Sequence, residues 1–125
     1  MTSKARVARR PKQVVVGPWT YNIEFMSDKE WLDAGENPDW GGVSAHQETR
    51  IRLRMTPTVS EDTLRETLLH EVLHCVWAAT QLNHFRPRKR DYEEQIVAMM
   101  SPTLLRVLSD NPAVLAYLVN LNAPA

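Results

Sequence analysis

Apolar and polar residues alternate twice in the first half of the chain. In Tyr21-Asn22-Ile23-Glu24-Phe25, the residues Tyr21, Ile23 and Phe25 fall on one face, the two-residue period of a half-buried strand. Thr49 to Met55 alternates more cleanly, with Ile51, Leu53 and Met55 on one side and Arg50, Arg52 and Arg54 on the other. Outward charges discourage further pairing, so this strand is expected at a sheet edge. The stretch between the two reads as a connection, with a short helix around Glu30-Trp31-Leu32 and turns near Asn37-Pro38 and Gly41-Gly42. Residues 1–12 have no apolar period and carry Lys4, Arg6, Arg9, Arg10 and Lys12, a flexible basic arm ahead of a single domain spanning 13–125.

From about residue 60 the period lengthens to that of a helix. Thr58 with Glu61 three positions on fits a capping box, Ser60 is a competing cap, and the helix is expected to run to about Leu82. Asn83 to Arg90 holds a proline and four basic residues and reads as an exposed loop. A second long helix is predicted from Asp91, whose carboxylate suits a helix N-terminus. Ser101-Pro102 predicts a kink or restart, and Asn111-Pro112 starts a last helix through about Val119. Strands first and helices after is the order of an α+β domain, with an antiparallel or mixed N-terminal sheet.

Composition changes this picture little. At 125 residues, 43% hydrophobic and 24% charged, the chain is an ordinary single globular domain. Fifteen basic residues balance fifteen acidic ones, which counts against a nucleic-acid binder acting through the arm and the Arg86-Pro87-Arg88-Lys89-Arg90 loop. Cys75 is the one cysteine, so no internal disulfide forms, and a reducing, cytoplasmic setting is expected. No apolar run approaches the roughly 18 residues of a membrane span.

Chemistry concentrates in one place. Between Leu68 and Ala79 the only residues that are neither apolar nor small are His70, Glu71 and His74. A helix apolar on every side is usually buried, and buried polar groups without partners cost a few kcal/mol each, so the trio needs compensation. His70 and His74, four apart, point together one turn apart and could grip one Zn²⁺, while Glu71 on their flank could reach a water beside the ion. By composition alone the His-Glu-x-x-His pattern arises in roughly one such chain in a hundred. A catalytic zinc needs a third protein ligand, and Glu93 and Glu94 are the candidates. The neighbours of Glu93 at i+3, i+4 and i+7 are Ile96, Val97 and Met100, all apolar, so periodicity favours Glu93. Cys75 points about 100° away from His74 and reads as a buried, inert thiol. Tyr92 and His84 are near enough in sequence to be considered for an oxyanion role, Trp77 shares the histidines' stripe, and His46 reads as a surface residue.

The motif on an apolar helix, followed by a glutamate from the next helix, resembles the gluzincin metallopeptidases, in particular their minimal single-domain forms (the minigluzincins) and small phage- or prophage-encoded metallopeptidases. The run Leu68-Leu69-His70-Glu71-Val72-Leu73-His74, then Glu93-Glu94-Gln95-Ile96-Val97 and Ser101-Pro102-Thr103-Leu104-Leu105, carries the likeness over about residues 47–119. It implies a zincin-like domain hydrolysing peptide bonds, with His70 and His74 as zinc ligands and Glu71 as general base. Nineteen residues lie between His74 and Glu94, a thermolysin-like spacing that favours Glu94 against the periodicity. The resemblance also implies that the arginine-rich strand lies above the metal and pairs with an extended peptide or protein substrate. At this length, the second domain that walls the cleft of large gluzincins is not expected. A non-catalytic zinc-binding phage or prophage interaction protein is the alternative.

Overall fold

The computed structural model describes residues 8–80 and 92–120. A short hairpin opens it: β1 (Gln13–Val16) and β2 (Trp19–Ser27) pair antiparallel, joined by Gly17 and Pro18. Gly17 has φ +59°, a left-handed value that a side chain would oppose in so tight a connection. Next come α1 (Asp28–Asp33), β3 (Gly42–Ala45) and β4 (Arg50–Met55), then three helices, α2 (Glu61–Ala79), α3 (Tyr92–Asp110) and α4 (Pro112–Leu118). The sheet order is β1-β2-β4-β3, with β2 and β4 parallel and β3 antiparallel to β4. The chain is a small α+β fold with a mixed sheet.

One sheet face meets the helices. Val14, Val16, Tyr21, Ile23, Ile51 and Leu53 pack on Leu64, Leu68, Val72, Cys75 and Val76 of α2, with Val107, Val114 and Tyr117 closing the core. Fully burying each of Ile51 and Leu53 contributes about 2 kcal/mol. Asn111 ties the last two helices to the sheet. Its Oδ1 accepts from Val15 N–H (2.8 Å), and its Nδ2 donates to the carbonyls of Val15 (2.8 Å) and Val107 (2.7 Å). Its side chain therefore does not cap α4.

Four expectations change. The arginine-rich strand β4 is interior, and the edge is β3. Two of its three outward arginines are matched by acids: Arg52 donates to Glu24 on the neighbouring strand and to Glu36 (2.9 Å each), and Arg54 to Asp28 and the Pro38 carbonyl, while Arg50 Nε is buried without a hydrogen-bond partner among the described residues. An outward arginine row thus marks a paired polar face. Ser60, extended at φ −83° and ψ 158°, caps α2 in place of Thr58, its hydroxyl accepting from Thr63 N–H (3.1 Å). α3 does not restart at Pro102 but continues through it, with Ser101 Oγ donating to the Val97 carbonyl (2.6 Å). Ala8 to Lys12, counted with the arm on sequence, lie against the fold, where Ala8 touches the core and Arg10 pairs with Glu61 and covers the Phe25 ring.

The short helix α1 is where the sequence puts it, capped by Ser27 and Glu30, with Trp31 fully buried and its Nε1 donating to the Asn37 carbonyl (2.8 Å). Among the described residues, no helix is long and apolar enough to cross a membrane. The basic loop 86–90 and His84 lie outside the described residues.

Candidate metal centre

α2 crosses the helix-covered face of the sheet and presents its third turn to the exposed edge. Leu64, Leu68, Val72 and Val76 recur every four residues and hold the helix down by burial. That fixes the rotation of the residues between them. His70 and His74 come out exposed on the open side, and Glu71 lies at 5% exposure between helix and edge strand. The expectation of three buried polar groups therefore holds for Glu71 alone. The histidines face an open cavity of about 720 Å³.

The two imidazoles converge. Their Nε2 atoms are 3.2 Å apart, with ring centroids 4.8 Å apart and planes inclined at 71°. Two nitrogens each about 2.0–2.1 Å from one tetrahedral zinc would be about 3.3 Å apart, so the pair has the bite of a metal-ligand pair. Glu71 lines the same cavity and accepts no hydrogen bond from any described residue. The carboxylate is open to a water, cation or peptide entering the cavity.

The opposite wall is the stretch Asp39 to Ser44, ending in the edge strand β3. Gly42 makes the close approach possible. A Cβ there would sit 2.7 Å from Thr67 Cγ2, 3.1 Å from Glu71 Oε2 and 3.2 Å from Leu53 Cδ2. The strand can lie against the carboxylate only because position 42 lacks a side chain. No family model, curated protein or solved structure matches the chain. What the site can do follows from its own atoms.

The structure brings together His70, Glu71 and His74 but leaves Glu93 and Glu94 apart. Among the described residues, no group of three His, Cys, Asp or Glu side chains is placed to hold a metal ion. Both glutamates are exposed on the first turn of α3, while Ile96 and Met100 turn inward and Val97 is half exposed. The donor set thus fits zinc in type and spacing at two positions. Cys75 is fully buried, and burial pushes its thiol up to about 12, so it is an inert S–H group as expected. Tyr92 is exposed on α3, and Trp77 is half-buried without lining the cavity.

One residue in the cavity wall has a larger part than its sequence position suggested. His46 opens the turn between β3 and β4, where Thr49 N–H bonds its carbonyl (3.2 Å), and it lines the cavity with His70 and His74. Its Nδ1 is 2.9 Å from the hydroxyl of Tyr21, a side chain 1% exposed in the core. The two are 25 positions apart; Tyr21 lies in β2, and His46 directly follows β3, which is not a neighbour of β2 in the sheet. No local pattern signals such a contact. Knowing the sheet order would have been the only guide.

Proposed function

We propose that the chain is a zinc-dependent peptidase of gluzincin type, with Glu71 as general base. The observation carrying this reading is the 3.2 Å convergence of the His70 and His74 Nε2 atoms beside a buried carboxylate that has no hydrogen bond among the described residues. His70 and His74 would hold the ion; Glu93, or else Glu94, would serve as third ligand only if the start of α3 came closer to the pair than the structure places it. When bound, zinc would polarise the scissile carbonyl and acidify water toward a pKa of about 7. Glu71 accepts a proton from the attacking water and delivers it to the leaving amine nitrogen. The exposed edge of β3 supports an extended peptide as substrate, since it offers unpaired backbone groups along the cavity wall.

The alternative is a zinc-binding interaction protein without catalysis. On its side stands the placement of Glu93 and Glu94 outside the histidine pair. One set of measurements separates the two readings. Wild type should carry close to one zinc per chain, and His70→Ala should lose it together with the thermal stabilisation that zinc confers. Glu71→Gln should keep zinc while cleavage of an unfolded protein substrate falls at least about 100-fold. Full zinc with no cleavage by wild type would hand the site to the interaction reading. Zinc affinity should drop more in Glu93→Gln than in Glu94→Gln, and the reverse order would show that loop spacing outranks helical face.

A further inference from the structure

Attack on a peptide carbonyl places negative charge on its oxygen, and a hydrogen-bond donor fixed near that oxygen lowers the barrier. The cavity wall offers several neutral donors, among them the side chains of Trp40, Ser44 and Thr63 and the backbone of the β3 edge. Among the described residues that line the cavity there is no lysine or arginine, and Asp39, Glu66 and Glu71 are acidic. The Thr67 hydroxyl is spent on the Thr63 carbonyl (2.8 Å). His70 and His74 face each other. His46 differs from all of these because its ring is held from behind.

The hold also selects a proton position. An imidazole nitrogen lone pair is a much stronger acceptor than a phenol oxygen, and a phenol O–H is a good donor. The Tyr21 hydroxyl therefore donates to His46 Nδ1 across their 2.9 Å contact, and the neutral ring carries its proton on Nε2. Burial in the core, with the nearby Cys75 thiol, pushes the Tyr21 phenol up to about 12, so the donor keeps its proton at working pH. The edge-on ring contact, with centroids 5.9 Å apart, adds a second constraint on the imidazole. Nε2–H makes no hydrogen bond with any described residue and is left for whatever occupies the cavity.

We propose that His46 is a further catalytic residue, donating a hydrogen bond from Nε2–H to the scissile carbonyl oxygen as charge builds there, and that Tyr21 is its positioning residue. The role rests on the peptidase reading of the same cavity. No bond is made or broken at His46. His46 is exposed at a turn, so its variants should fold.

The test has two arms. In the first, long-range ¹H–¹⁵N spectra of the full chain, with His46 assigned by its loss in His46→Phe, should show the proton on Nε2, and Tyr21→Phe should weaken that preference. A proton on Nδ1 overturns the proposal without reference to activity. In the second, His46→Phe should keep its zinc and KM while kcat falls about 100-fold, the usual cost of losing one such donor. His46→Gln, which restores an N–H at similar reach, should recover most of that loss. Unchanged kcat in His46→Phe, or a change confined to KM, overturns the role of His46 and leaves the peptidase reading standing. A zinc-loaded wild type that cleaves nothing overturns both.

Discussion

At the N-terminal end of α2, Arg65 is 1% exposed and surrounded by partners. Its Nε donates to the Tyr117 carbonyl and its Nη1 to Asp62 (2.9 Å each), and its guanidinium lies over the Tyr117 ring. The Tyr117 hydroxyl donates to Glu61, which also receives Arg10. Only Nη2 of Arg65 is left without a partner. Six residues on, Glu71 is 5% exposed and accepts no hydrogen bond from any described residue. The same helix buries charge at both places. At one end the charge is matched and fastens α4 and the N-terminal segment to the fold. At the other the carboxyl is left open beside a cavity, with no partner among the described residues.

The contrast has measurable consequences. The largest is at the matched end, where Arg65→Ala should lower stability by about 3 kcal/mol, read as an earlier urea midpoint, because Asp62 and the Tyr117 carbonyl lose their donor and a void remains. A loss below about 1 kcal/mol would mean that the cluster contributes little. Next comes the strand facing the open end. Gly42→Ala should cost about 2 kcal/mol, since Thr67 and Leu53 must shift, and should also reduce cleavage by displacing the Glu71 carboxylate.

Glu61 gives the third effect. The hydrogen bond from Arg10, with that from Tyr117, holds its carboxyl below the ordinary value of 4.5. A depressed folded pKa contributes stability that is complete above the ordinary carboxylate range and is lost as pH falls through the folded value. Glu61→Gln should therefore cost about 1 kcal/mol at neutral pH and show a flatter stability profile below about pH 4.5. The smallest effect has the opposite sign. Glu71→Gln should leave stability unchanged or raise it by a few tenths of a kcal/mol, because the carboxyl has no hydrogen bond or ion pair among the described residues to lose. If that substitution proves as damaging as Arg65→Ala, Glu71 is a structural residue and the contrast collapses.

How much of this could be read in the sequence depends on how local each determinant is. The four-residue repeat of Leu64, Leu68, Val72 and Val76 makes α2 visible, and the i, i+4 spacing of His70 and His74 makes their convergence follow from helix geometry alone. β4 was equally plain, yet its place in the sheet was not. Whether Arg52 and Arg54 guard an edge or pair across a face is decided by Glu24, Glu36 and Asp28, residues that meet them only after folding. β3, only Gly-Val-Ser-Ala, has no apolar alternation and becomes a strand through pairing with β4. The exposure of the histidines is not legible in the sequence, because an apolar run reveals how greasy a helix is and cannot reveal a gap left beside it. Tyr21 and His46 meet through tertiary placement and left no trace in spacing.

Pro102 divides α3 into halves with different holds. It has no N–H, so the Ala98 carbonyl goes without its helical donor, while Ser101 bonds the carbonyl before it. Beyond the proline, Val107 is buried and Asn111 clamps the chain to β1. Ahead of it, Tyr92 and Val97 are half exposed, and this is the half that carries Glu93 and Glu94. In deuterated water the amides of Ile96 to Met100 should therefore exchange well before those of Arg106 to Asp110. Should either glutamate bind zinc, adding the ion would slow the first group and leave the second untouched. Deuterium uptake along one helix would then report the grip of the metal with no substrate present.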